Sequence, residues 1–160
     1  NQKSLTFFGY IFSENGVSAD PQKVDAIKST CQPQNTSEVR SFLGLVTYCG
    51  RFIPDLATVS EPLRQLTKKD VPWSWTTEHQ TSFDALKSSL TSDTVMSYFD
   101  PLKSTELVVD ASPVGLGAIL TQISKTGHVH TISYASKALT ETEQRYSQTE
   151  REALAVVGGV

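Results

Sequence analysis

Asp110 closes an apolar run, Leu107-Val108-Val109, and is followed at once by Ala111-Ser112. A carboxylate on a core strand is costly unless it stands at an edge, is paired, or binds a cation. Glu152 lies between Tyr146 and Val156 in a stretch with helical spacing, at the margin of its apolar stripe. An acid on a strand and an acid on the helix covering that strand would jointly present hard oxygens, the ligands Mg²⁺ prefers. By spacing alone, two solvated acids are the commoner explanation, since most carboxylates are surface charges. The other chemistry-bearing residues make no constellation. Cys31 and Cys49 fit neither a disulfide framework nor a four-ligand zinc site and read as reduced, structural thiols. His128 and His130 alternate with Val129 on one face of a strand, but with His79 elsewhere no third ligand is in view.

The elements that must position these residues follow from pattern. Leu5 to Phe12 is rich in aromatic and β-branched residues, and Asn15-Gly16 supplies the positive-φ pair of a type I′ turn, so a hairpin is expected. Asp20-Pro21 opens a short helix carrying Val24 and Ile27, which ends before Pro33. Thr36 or Ser37 caps the next helix, where Val39, Phe42, Leu43 and Val46 form one buried stripe. A third helix runs from Asp55 to about Leu66, kinked or broken by Pro62, and a fourth begins near Thr76 or Thr77 with Phe83, Leu86 and Leu90 inward. Strands are then expected over 106–112, 115–122 and 128–136, with helical spacing from Glu141 onward to Val160. Helices followed by strands suggest two units meeting near Asp100-Pro101 in an α+β chain.

Bulk properties bound the function. With 160 residues, 38% of them hydrophobic, the chain can bury a core, which argues against wholesale disorder. A net charge of −3 and a pI of about 5.6 argue against a freestanding nucleic-acid binder, though a local basic face can sit on an acidic chain. Residues 1–6 carry no apolar leader, and no apolar run approaches the roughly 20 residues that cross a bilayer. An intracellular protein is expected, cytoplasmic or nuclear rather than secreted, with no membrane partner.

The wording around the two acids adds to this. Val108-Val109-Asp110-Ala111-Ser112, Gly115-Leu116-Gly117-Ala118-Ile119-Leu120, Tyr134-Ala135-Ser136-Lys137-Ala138-Leu139 and Glu150-Arg151-Glu152-Ala153-Leu154-Ala155-Val156-Val157 closely resemble the ribonuclease H domain of gypsy-class LTR retrotransposons. Upstream, Phe7-Phe8-Gly9-Tyr10 resembles the primer-grip hairpin of their reverse transcriptases. Val39-Arg40-Ser41-Phe42-Leu43-Gly44-Leu45 with Arg51-Phe52-Ile53 resembles their thumb, and Trp75-Thr76 with Phe83 and Leu86-Lys87 their connection. The ordered series covers nearly the whole chain. It implies a primer-grip-like hairpin over 1–18, a helical thumb and connection over 19–100, and the first three antiparallel strands and first helix of a ribonuclease H-like mixed sheet over 101–160.

The resemblance also implies an activity. The family's ribonuclease H cuts the RNA of an RNA–DNA hybrid with two Mg²⁺ ions held by four acids. Asp110 takes the position of the first acid and Glu152 that of the second, as catalytic residues and metal ligands. The other two acids, and the polymerase's paired aspartates, fall outside these residues. The segment alone is therefore expected to be inactive, with weak or no Mg²⁺ binding, and to act with the rest of the Pol polyprotein on a hybrid or template–primer duplex. Phe8, Gly9 and Tyr10 are candidates for holding a primer end, Arg40 and Arg51 for phosphate contact, and Gly115 and Gly117 for close approach of a nucleic-acid backbone. Solvated helix faces, core packing and tight turns explain the same residues without nucleic acid. Cys49-Gly50 stands where the family's thumb often has an aromatic and a basic residue, which weakens the expected grip. Trp73 and Trp75 are expected to pack between the two units. The competing reading is a non-catalytic nucleic-acid- or protein-binding module derived from such an element.

Overall fold

The computed structural model describes residues 3–90 and 94–159; the expected helix end at Val160 lies outside them. Chain order is β1 (Ser4–Phe7), β2 (Tyr10–Ser13), β3 (Gly16–Ala19), α1 (Pro21–Ser29), α2 (Thr36–Tyr48), a 3-10 turn (Gly50–Phe52), α3 (Leu56–Val59), α4 (Glu61–Gln65) and α5 (Thr77–Ser89). There follow β4 (Val95–Met96), β5 (Ser104–Ala111), β6 (Gly115–Ile123), β7 (Val129–Ala138), a 3-10 turn (Glu143–Arg145) and α6 (Gln148–Gly159). The class is α+β, as expected. One sheet has the order β1-β2-β3-β4, the other β5-β6-β7, and all pairings are antiparallel among the described residues.

The hairpin forms, but its positive-φ pair sits elsewhere. Phe7 pairs with Tyr10, leaving Phe8-Gly9 as a two-residue turn with φ of 46° and 67°, the type I′ signature. At the next turn Ser13 pairs with Gly16, so Glu14-Asn15 makes the reversal and Gly16 belongs to β3. Gly16 has φ +135°, and a Cβ there would collide with the Met96 carbonyl of β4. The expected type I′ turn at Asn15-Gly16 is thus corrected: that glycine admits a neighbouring strand rather than shaping the turn.

Helix boundaries obey their caps. The Asp20 carboxylate accepts from the Gln22 amide at 2.9 Å, and Pro21 occupies the first position of α1. Asn35, one residue before the expected cap, accepts from the Glu38 amide at 3.0 Å, while Glu38 accepts in turn from the Gln34 amide at 2.7 Å. Asp55 adopts a left-handed conformation, φ 50°, and α3 starts behind it. The expected break is realised at Ser60, with Pro62 in the first turn of α4, where a missing N–H costs nothing.

Val24, Ile27, Val39, Phe42, Val46, Ile53, Leu63, Phe83, Leu86 and Leu90 form the larger core, closed from below by Val17, Ala19 and Met96 of the first sheet. Trp75 joins it edge-on to Phe83, and its indole N–H donates to Gln80 at 3.0 Å. The tryptophans therefore pack on the helical unit, not between the units.

The second sheet is held on both faces. Ala155 of α6 packs with Ala111, Leu116 and Leu139. On the opposite face Tyr134 reaches into the larger core. A register shift after Leu120 leaves Ile132 as an extra residue in β7, and its carbonyl accepts from Arg51 at 3.4 Å. The buried side chain of Gln122 then closes the link at Asp100, accepting from its amide at 2.9 Å and donating to its carbonyl at 2.8 Å.

Candidate functional site

Strand β5 lies at one edge of its sheet, and its alternation decides where Asp110 points. Leu107 and Val109 meet the C-terminal turn of α6, and Ala111 is buried under it. Asp110 therefore leaves the strand on the other face, directly across from Gly117. It is exposed and makes no hydrogen bond or ion pair among the described residues. On that face Asp55 stands over the strand: its Oδ1 lies 2.5 Å from where a Gly117 Cβ would be.

Glu152 is placed from the α6 side. Ser147 and Glu150 cap the helix reciprocally, the Glu150 carboxylate accepting from the Ser147 amide at 2.8 Å and the Ser147 hydroxyl accepting from the Glu150 amide at 3.3 Å. The bond from the Ser147 amide, more than any other contact, holds the Glu150 carboxyl below its ordinary range. One turn beyond Gln148, Glu152 is half-buried. The Gln148 amide nitrogen donates to Glu152 Oε1 at 2.6 Å and to the Ala111 carbonyl at 3.2 Å. Gln148 Oε1 accepts from Arg151 at 2.8 Å, and Arg151 also donates to the Gln144 and Tyr146 carbonyls at 3.3 and 3.1 Å.

The two expected acids are thus brought to one end of β5, though not to one face. Glu152 is two hydrogen bonds from the Ala111 carbonyl at the strand edge, and Asp110 is the preceding residue, turned the other way. Both offer hard carboxylate oxygens, Asp110 with no partner and Glu152 with Oε2 unengaged among the described residues, so the donors suit a divalent cation in kind. Among the described residues no group of three His, Cys, Asp or Glu converges on a metal-sized space. Gln148 and Arg151 escaped sequence reasoning; the signal available was their i, i+4 and i, i+3 relation to Glu152 and to each other.

The other candidates scatter. Tyr10 stacks on Tyr48, ring centroids 5.5 Å apart, and donates its hydroxyl to the Tyr48 carbonyl at 3.1 Å; burial pushes its pKa upward. Phe8 and Gly9 form the hairpin tip, Phe8 being 75% exposed and Gly9 lying against the Tyr48 ring. Arg40 is exposed and donates to the Thr67 carbonyl at 2.8 Å. Arg51 sits 5.8 Å from the ring centres of both Tyr10 and Phe52 while reaching β7. Cys49 is buried in the core, where desolvation raises its pKa. Gly115 and Gly117 are approached closely by the chain's own backbone and side chains: a Cβ on Gly115 would stand 2.9 Å from the Ala57 methyl. Around them the Ala57 amide donates to the Ser136 hydroxyl at 2.8 Å, and Thr58 and Ser112 share a hydrogen bond of 2.8 Å.

Residues 75–160 match the family described as the RNase H-like domain found in reverse transcriptase, and the chain belongs to that family. Among curated proteins it is 34% identical over 157 residues to the Transposon Tf2-3 polyprotein of Schizosaccharomyces pombe, covering 98% of this chain and 12% of the relative. The Tf2-4 polyprotein of the same yeast matches equally. The chain thus spans about an eighth of these relatives' length. Among solved structures, the foamy viral protease-reverse transcriptase in complex with RNA/DNA hybrid superposes with a TM-score of 0.77 at 24% identity, over 98% of this chain and 21% of that one. The same protein in complex with dsDNA gives 0.77 at 23% identity, over 98% and 33%. The solved structures show the fold, and the family match together with the transposon relatives marks an RNase H-like region of retrotransposon-polyprotein type.

Proposed function

We propose that this segment handles the template–primer duplex through its hairpin and helical unit, and contributes two of the acids with which the larger polyprotein hydrolyses the RNA strand of an RNA–DNA hybrid. The observation that carries the reading is the end of β5: Asp110, exposed and without a partner among the described residues, beside a carbonyl to which Gln148 tethers Glu152. Asp110 and Glu152 are the residues that would hold Mg²⁺. When bound, such ions supply Lewis-acid activation of water and charge stabilisation at the leaving oxygen. The chain's own part is to fix one carboxylate on a sheet edge and the other on a capped helix, and to carry the duplex past them. Arg40, exposed on α2, and Phe8, at the hairpin tip, are the contacts best placed to touch nucleic acid. Arg51, engaged with Tyr10, Phe52 and Ile132, serves the joint between the units instead.

The test is cleavage of RNA in an RNA–DNA hybrid by the polyprotein that contains this chain. Asp110→Asn and Glu152→Gln each abolish Mg²⁺-dependent cleavage while leaving duplex binding intact; undiminished cleavage by either variant overturns the reading. The 160 residues alone, with two acids where four are expected, show no cleavage. A second reading, a non-catalytic binding module, is favoured by one observation: Asp110 leaves β5 on the face away from α6. It predicts duplex binding without any Mg²⁺-dependent hydrolysis in the whole polyprotein.

A further inference from the structure

The Gln148 side chain engages three partners at once, and nothing in the proposed chemistry requires it. We infer that Gln148 is a positioning residue: oriented by Arg151, its amide ties the Glu152 carboxylate to the Ala111 carbonyl and so sets Glu152 relative to Asp110. This rests on the reading of Asp110 and Glu152 as the active acids.

Donor and acceptor chemistry leaves the amide one orientation. A guanidinium only donates, so the Gln148 oxygen must face Arg151, as it does at 2.8 Å. The nitrogen then faces the two remaining neighbours, a carboxylate oxygen at 2.6 Å and a backbone carbonyl at 3.2 Å, both of which only accept. Turning the amide over would set the nitrogen against the guanidinium and the oxygen against two acceptors, three mismatches at once. Arg151 is itself anchored to the Gln144 and Tyr146 carbonyls of the turn preceding α6. The chain of contacts therefore runs from that turn through Arg151 and Gln148 to Glu152, and ends on the residue next to Asp110. The bond to Glu152 is charge-assisted, the stronger kind. Ala111 belongs to an edge strand, and its neighbour Ser112 donates inward to Gly115 at 2.9 Å, so the Ala111 carbonyl faces away from β6 and is free for a side chain. A helix-capping role does not account for this set, because the Ser147–Glu150 pair already serves the first turn.

The experiment uses the polyprotein containing this chain, with Gln148→Met as the variant that keeps length and loses the amide. Loss of such an outer partner weakens ion use by about tenfold to a hundredfold. The Mg²⁺ concentration for half-maximal hybrid cleavage should rise by that factor, excess Mg²⁺ should restore the rate, and the melting temperature should not move. Mn²⁺ affinity followed by water-proton relaxation, which needs no turnover, should fall in parallel. Unchanged Mg²⁺ dependence and Mn²⁺ affinity overturn the proposal. Asp110→Asn serves as the control: if it cleaves normally, the underlying reading fails, whereas its inactivity beside a normal Gln148→Met variant sinks only the role of Gln148. Should the methionine variant not fold, the unsubstituted protein decides. One Gln148 amide proton protected from exchange and close in space to Ala111 supports the tie, and an amide exchanging like a solvated side chain overturns it.

Discussion

At the scale of single residues, closeness of approach separates glycines that look alike in sequence. Gly16 holds a conformation reserved for glycine and faces the Met96 backbone, which has nowhere to go. Gly16→Ala should cost about 1–3 kcal/mol, the usual penalty for a forced backbone, measured by urea unfolding. Gly117 faces only the end of the Asp55 side chain, which can rotate away. Gly117→Ala should fall well below the Gly16 figure in the same measurement, and equal losses would contradict this assignment. The side of β5 on which Asp110 emerges was hidden by its neighbours. Leu107-Val108-Val109 is apolar at three consecutive positions, so alternation has no visible phase until α6 is seen covering Leu107 and Val109. Gln148 was equally unreadable, because its value lies in three partners, one of them 37 positions away.

At the scale of elements, starts and stops were legible wherever a cap and a breaker agreed. Asp20-Pro21, Pro62 and Thr76 all performed as expected, while Thr36 lost to Asn35 because the Asn35 side chain both accepts from the Glu38 amide and donates to the Glu38 carboxylate. The β-bulge at Ile132 had no signal, since nothing in a strand of ordinary composition announces an extra residue. The turn before α6 makes a pH prediction. Lys137 at 2.8 Å, then the Thr140 amide at 2.7 Å, hold the Glu143 carboxyl down from an ordinary 4.5 to about 2. A depressed carboxyl contributes stability that is complete above its ordinary value and is lost as pH falls through the folded one. Melting temperature should therefore decline between about pH 4.5 and pH 2, and Glu143→Gln should flatten that part of the curve. Ser147→Ala, removing the α6 cap, should cost about 1 kcal/mol at neutral pH.

At the scale of the whole molecule, the two expected units share contents. Tyr134 belongs to the second sheet by sequence and to the first core by packing, Arg51 joins β2, the 3-10 turn and β7, and Lys68 approaches Glu141 at 3.9 Å. The face of β5–β7 away from α6 is occupied by α3 and its neighbours, while β5 has no second strand partner among the described residues and Val108 is exposed. Unfolding should be one transition. Phe42→Ala, a change worth about 3–5 kcal/mol in a helical core, should lower the melting of the β5–β7 amides by hydrogen exchange as much as it lowers tryptophan fluorescence. Two separate transitions would refute the shared packing.

The two-residue strand β4 carries a consequence for how the chain tolerates a cut. It pairs with β3, and the next residue, Ser97, donates to Thr131 of β7 at 2.9 Å, so the backbone returns to its own beginning after passing through every helix before α6. Trypsin acting at the exposed Lys68-Lys69 would then yield two peptides that remain interlocked, eluting together on a sizing column until denaturant is added.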